Sequence, residues 1–269
     1  MNVIFIILDS LNRHHLPTYD GEWVETPNLE RLADKSYVFE NHFAGSMPTI
    51  PARREMWTGN YEFLWRPWGS LEPWDSPLPL VIKNSGTLAM LITDSYHLFE
   101  GGGQNYHIDF EGWEFIRGHE FDPWVTAEAE EPEHKSDKEF GRYARNMQRM
   151  NREEEYCSPR TLRTVADWLE ENHDQDQFFL MVDEFDPHEP FDVPEHFWRR
   201  YDQDYEDIPY IWPDYGEWKG TESELKHIQA RYAGKITMID RYLGRVFEKM
   251  TDFGLWENTA VIVTTDHGQ

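Results

Sequence analysis

Cysteine is almost absent from this sequence: Cys157 is the single one among 269 residues. A lone thiol excludes a disulfide framework and any zinc site built on cysteine. Basic residues are scarce as well, with Lys+Arg 25 against Asp+Glu 51 and a formal net charge of −26. Nothing supplies a stripe of positive charge to neutralise a phosphate backbone, which excludes a nucleic-acid binder. An anionic membrane surface is disfavoured on the same ground. Long apolar runs are missing too. The N-terminal run, Val3 to Leu8, stops at Asp9. That is well short of the about 20 apolar residues of a membrane helix, and it lacks the basic flank and length of a signal peptide. The sequence therefore reads as cytoplasmic.

What is present is the material of a folded domain. A 39% hydrophobic and 15% aromatic composition with 12 Trp is incompatible with a disordered acidic tail. A chain of this length buries about 70–75% of its unfolded surface without staples. No internal repeat and no Gly/Ser linker divides it, so residues 1–269 read as one domain. Four short apolar runs predict buried strands: Val3 to Leu8, Leu88 to Ile92, Phe178 to Val182 and Ala260 to Val263. Continuous rather than alternating hydrophobicity predicts strands covered on both faces. Helices are expected between them. Thr26-Pro27 and Ser158-Pro159 each read as an N-cap followed by a first-turn proline, and Thr221-x-x-Glu224 as a capping box. The box opens a helical face of Leu225, Ile228, Tyr232, Ile236, Ile239, Leu243, Phe247 and Met250. Strands alternating with helices give an α/β fold with a mostly parallel central sheet sandwiched by helices. Two charged stretches, about 120–155 and 201–224, read as surface insertions placed to shape a substrate entrance.

Ligands of open α/β sheets bind beyond the carboxyl ends of the strands. Each predicted strand runs into chemically capable groups there: Asp9-Ser10, Thr93 to His97, Asp183 to His188, and Thr264 to Gly268. Carboxylates and imidazoles gathered at one sheet edge repel and desolvate one another unless a cation lies between them. Oxygen and imidazole donors suit a divalent ion such as Ca, Mn, Zn or Mg. For a second ion, Asp183, Asp186 and His188 are the candidates. A further segment, Ser46 to Arg54, carries Thr49 just before a helix expected to start around Pro51. Backbone N–H groups and the helix dipole favour an anion at that point. A metal-bound threonine hydroxyl is a competent nucleophile, and Arg53 is able to hold a tetrahedral oxyanion.

In order and spacing, these pieces resemble the sulfatase family of the alkaline phosphatase superfamily. Asn2 to Asp9 resembles the opening strand with its metal aspartate, and Thr26 to Ala33 the TPNLDRLA helix, continued by Phe39-Glu40-Asn41. Thr49-Ile50-Pro51-Ala52-Arg53 with Thr58-Gly59 stands in the place of the C/S-x-P-S-R…TG signature. Pro187-His188-Glu189-Pro190 resembles the PHxP segment. Tyr232 to Gly268, with Asp240, Gly244 and Asp266-His267-Gly268, resembles the end of the catalytic core. The resemblance implies Asp9, Asp266 and His267 as metal ligands, Thr49 as nucleophile and fourth ligand, and Arg53 as a brace for the nucleophile and the bound oxyanion. It implies His97 and His188 as groups that contact the substrate or protonate the leaving group. It also implies further chain after the DHG motif, so the sequence reads as a catalytic domain truncated on its C-terminal side.

The departures from the pattern bear on the substrate. Sulfatases oxidise Cys or Ser at the signature position to formylglycine, whereas the secondary alcohol of Thr49 gives only a ketone. Ser10 replaces the second aspartate of the opening pair, and Ser95 the lysine of the GKWH-like segment. A threonine ester has to be released by attack at the central atom. That tilts the expectation towards phosphate or phosphonate esters over sulfate esters, with a small anionic ester as partner and a homo-oligomer left open. The alternatives are a sulfatase proper, a metal-dependent phosphate mutase, and a non-catalytic oxyanion-binding relative.

Overall fold

The computed structural model describes residues 1–130 and 133–269. Residues 131–132 of the first charged stretch therefore lie outside the described residues. The strands are β1 (Asn2–Leu8), β2 (Leu88–Thr93), β3 (Gly112–Phe115), β4 (Lys135–Ser136), β5 (Phe178–Glu184), β6 (Tyr210–Trp212) and β7 (Thr259–Thr264). The α-helices are α1 (Pro27–Ala33), α2 (Thr49–Thr58), α3 (Leu78–Asn84), α4 (Gly141–Met147), α5 (Cys157–Asn172), α6 (Glu195–Trp198) and α7 (Glu222–Asp252). Five strands form a parallel sheet in the order β3-β2-β5-β1-β7. The predicted α/β class with a central parallel sheet is observed.

Successive residues of the inner strands feed opposite faces. Ile4, Ile6, Leu8, Leu180 and Val182 pack with Leu162, Val165 and Leu169 of α5 and with Ile236, Ile239 and Leu243 of α7. Ile7, Ala89, Leu91, Phe179 and Met181 pack on the other face with Ile50 and Trp57 of α2. Both faces of β5 are thus covered and all seven of its residues are buried. Removing one such side chain, as in Leu180→Ala, costs about 2–5 kcal/mol.

Four details differ from the sequence reading. Strand β7 is only half-buried, with Ile262 43% exposed, because it takes the sheet edge where one face is uncovered. Strand β3 (Gly-Trp-Glu-Phe) is a short edge strand whose composition gives no apolar run. Helix α5 begins at Cys157 behind Tyr156, so Ser158 is inside the first turn and is not the cap. Thr26 does sit at the N-cap of α1, with Pro27 following, but its hydroxyl makes no capping bond. Asp240 takes over that task from the middle of α7, accepting from the backbone N–H groups of Asn28 (3.1 Å) and Leu29 (2.8 Å). Gly244, one turn further on, makes the approach possible: a Cβ there would lie 2.7 Å from the Asn28 amide oxygen.

Helix α7 runs for 31 residues from the expected capping box, in which Thr221 Oγ accepts from the Glu224 N–H and the Glu224 carboxylate from the Thr221 N–H. Its buried Lys235 donates to the carbonyls of His188 (2.8 Å) and Pro190 (2.7 Å), and Arg231 donates to that of Phe191 (2.6 Å). The helix thereby fastens the loop that follows β5. The two charged stretches do not lie separately on the surface. They meet through β4 and β6 and bury Phe140, Tyr143, Ile211 and Trp212 in a common apolar cluster. Among the described residues, no helix is long and apolar enough to cross a membrane.

Candidate active site

Register brings the strand ends level. Ile7 stands opposite Asp183 and Thr264, and Thr93 opposite Asp183, so the residues after each strand emerge together. Asp9, Asp183 and Asp266 are buried there, and between them lies the fully buried guanidinium of Arg53. Arg53 Nη2 is 2.7 Å from Asp183 Oδ1 and Nη1 is 2.9 Å from Asp9 Oδ2, with Nη1 also bonded to Asp266. All of these contacts are to carboxylates. Arg53 therefore does not face the cavity as the oxyanion brace expected from the sequence. A guanidinium taken wholly out of water has to be surrounded by acceptors, and three buried carboxylates satisfy that need better than a transient ligand does.

Three carboxylates against one guanidinium leave two uncompensated negative charges. The cost is visible at Asp9: burial, then repulsion from Asp266, pushes its carboxyl well above the usual range. Burial alone would raise Asp266, but the Arg53 guanidinium prevails and holds it below that range. A divalent cation restores the balance, and the donors for one converge. Candidate ligand atoms of Asp9, Asp266 and His267 lie within 4.8 Å of one another. His267 Nε2 is buried without a hydrogen-bond partner, and Asp9 Oδ2 has the Arg53 guanidinium as its partner. The residues therefore fit a divalent ion. Ser10, standing where the resembled family has a second aspartate, orders this set. Its N–H donates to Asp266 Oδ1 (3.0 Å) and its hydroxyl to Asp9 Oδ1 (2.8 Å). It does so from a left-handed backbone, φ 63°, that is uncommon outside glycine. Its carbonyl accepts from the Tyr232 hydroxyl of α7 (2.6 Å).

A cavity of ≈570 Å³ opens against this cluster, lined among others by Thr49, His97, His188 and His267. Thr49 is the first residue of α2, not the residue before it, so its side chain shares the helix start with free backbone N–H groups. His97 follows β2 in a short 3-10 turn. Its Nδ1 bonds Glu100 at 2.5 Å. Burial by itself would lower the imidazole's pKa, but Glu100 and Glu120 prevail and push it up to about 9. His188 sits in the loop fastened by Lys235. Asp183 and Asp186, considered for a second ion, are engaged otherwise: Asp183 by Arg53, and Asp186 by His119 (2.7 Å) and Lys235.

Sequence reasoning passed over Glu120, Lys138, Trp68, Trp212 and Tyr215, all of which line the cavity. Four of them belong to the charged stretches, whose pairing brings them over the strand ends. The signal available was Gly118-His119-Glu120, a chemically capable triplet with a glycine that takes φ 124°.

The sulfatase family model matches residues 1–269. Over 99% of its length the chain is 24% identical to an arylsulfatase of Clostridium perfringens, of which it covers 63%. Over its full length it is 25% identical to the multifunctional alkaline phosphatase superfamily protein PehA of Trinickia caryophylli, again covering 63%. The fold is similar to that of the phosphonate monoester hydrolase of Agrobacterium radiobacter, with TM-score 0.71 and 20% identity, over 100% of this chain and 62% of that one. The chain thus spans under two thirds of the length of these relatives.

Proposed function

The chain belongs to the sulfatase family, and from that premise we propose that its protein is a metal-dependent hydrolase of phosphate or phosphonate esters. Sulfate esters are the slower substrates, and Thr49 is the nucleophile. The observation that carries the reading is the meeting of Thr49, at the start of α2, with His267, His97 and His188 around one cavity backed by Asp9 and Asp266. The residues that would hold the ion are Asp9, Asp266, His267 and the Thr49 hydroxyl. When bound, a divalent ion lowers the pKa of a coordinated hydroxyl and neutralises charge on a tetrahedral centre.

The chain's own groups account for the rest. Thr49 gives up its hydroxyl proton to solvent and its Oγ attacks the phosphorus in line, forming an Oγ–P bond as the bond to the leaving oxygen breaks. His97, protonated at neutral pH, gives the departing oxygen its proton, and His188 contacts the same side of the cavity. Water then attacks phosphorus, passing a proton to the now neutral His97, and the Oγ–P bond breaks as Thr49 regains its proton from solvent. The free N–H groups at the start of α2 and the Lys138 ammonium lie at the cavity to meet an anion in a protein of net charge −26. Arg53 acts indirectly by keeping Asp9 and Asp266 in place. The likeness to the arylsulfatase and to the phosphonate monoester hydrolase supports the reaction class.

The test is a matched panel of aryl phosphate, phosphonate and sulfate esters sharing one leaving group, assayed with each divalent metal. Phosphorus esters turning over fastest supports the reading, and sulfate turning over fastest contradicts it.

A further inference from the structure

We propose that Glu120, His188 and Glu189 form a second divalent-cation site, of zinc type, in the cavity wall. It shares no ligand with Asp9, Asp266 and His267. The candidate ligand atoms of the three residues lie within 4.8 Å of one another and all three side chains are buried. Their arrangement around one atom, His188 Nδ1, is the informative part. Glu120 Oε1 and Glu189 Oε2 each stand 3.4 Å from it, and the Glu189 carbonyl oxygen stands at 2.8 Å. Only the carbonyl is at hydrogen-bond distance. The 3.4 Å separation of the carboxylate oxygens from Nδ1 is the spacing of neighbouring ligands around a tetrahedral ion, because bonds of about 2.1 Å place ligand atoms about 3.4 Å apart.

Each carboxylate also divides its oxygens in the same way. Glu120 turns Oε2 to His97 Nε2 (3.5 Å) and Oε1 to His188. Glu189 gives Oε1 to the Tyr215 hydroxyl and to Lys138 Nζ (3.4 Å), while its Oε2 is buried without any hydrogen-bond partner. A buried carboxylate oxygen left unpaired beside a second carboxylate is costly, and a cation removes that cost. Two carboxylates and one imidazole nitrogen are a donor set that zinc accepts, with the fourth position open. Loading displaces the Nδ1 proton to solvent and leaves Nε2 as the free nitrogen of His188. The loop that presents Glu120 is built for this placement. Asp122 takes the Gly118 N–H (2.7 Å) and the Arg117 guanidinium, His119 is bonded to Asp186, and Glu120 itself is held at φ 38°.

The experiment is metal stoichiometry, which requires no turnover. Metal-free protein is equilibrated with Zn²⁺, freed of excess and assayed for zinc per chain, for the wild type and for Glu120→Gln, Glu189→Gln and Asp266→Asn. The expected result is two equivalents for the wild type and one for every variant. One wild-type equivalent that Glu189→Gln and Glu120→Gln remove but Asp266→Asn spares also supports this site, and contradicts the metal reading under the proposed function. One equivalent that only Asp266→Asn removes overturns the second site and leaves that reading standing. No zinc in the wild type overturns both.

Discussion

Arg53 Nη2 lies 2.7 Å from Asp183 Oδ1, a contact between two groups that solvent does not reach. The pair joins α2, which carries Thr49, to β5 at the centre of the sheet, and so fixes the nucleophile's helix relative to the strand ends. Breaking such a pair from one side strands a buried charge, at a cost of about 3–5 kcal/mol. Arg53→Met is therefore expected to lower unfolding free energy by that order, measured by urea denaturation. Arg53→Met together with Asp183→Asn is expected to recover part of the loss.

Asp240 and Asn28 couple α7 to α1 without a conventional cap. Asp240→Ala leaves the N–H groups of Asn28 and Leu29 without their acceptor and is expected to cost about 1–3 kcal/mol. Amide hydrogen exchange reads this directly: protection at Asn28 and Leu29 falls while β1 and β5 keep theirs.

His97 supplies a pH signature. Its folded pKa of about 9 lies above the unfolded value of about 6.5. The stabilisation from its protonated form is complete below the unfolded value and is lost as pH rises through about 9. If His97 protonates the leaving group, activity holds across neutral pH and declines on the alkaline side near the same value. Glu100→Gln removes the bond to Nδ1 and is expected to move that decline to lower pH in a pH–rate profile.

Ligand linkage gives a further check on the metal ligands. An ion that binds the folded state stabilises it by about 2.7 kcal/mol at a hundredfold excess over Kd. Added Mn²⁺ or Zn²⁺ is expected to raise Tm, and chelation to reverse the gain. In Asp266→Asn the gain is expected to shrink. An equal gain in that variant would place the ion elsewhere.

How far the sequence disclosed this structure depends on where each residue sits. The runs at β1, β2 and β5 were legible because strands covered on both faces leave continuous hydrophobicity behind. The edge strands were not: β3 has no run, and the run of β7 says nothing of its uncovered face. Asp9, Thr49, His97, His188, Asp266 and His267 were legible as strand-end and helix-start residues; Thr49, His97, His188 and His267 line one cavity, and Asp9 and Asp266 lie buried beside His267. Arg53 was recognised, but its partners were not, since a sequence does not say that an arginine is sealed among three carboxylates. Glu120 and Lys138 were hidden for a different reason. Lys138 owes its place in the cavity wall to the pairing of β4 with β6, and Glu120 owes its place to the bond of His119 with Asp186; composition announces neither long-range contact.

The account rests most heavily on Thr49, and mass spectrometry of the protein quenched during turnover of an activated aryl phosphonate tests it most directly. The predicted result is a phosphorus ester on the peptide containing Thr49, absent in Thr49→Ala, a variant that keeps Asp9, Asp266 and His267 as metal ligands and turns nothing over. A Thr49→Ala variant that hydrolyses the ester at the wild-type rate would contradict the account.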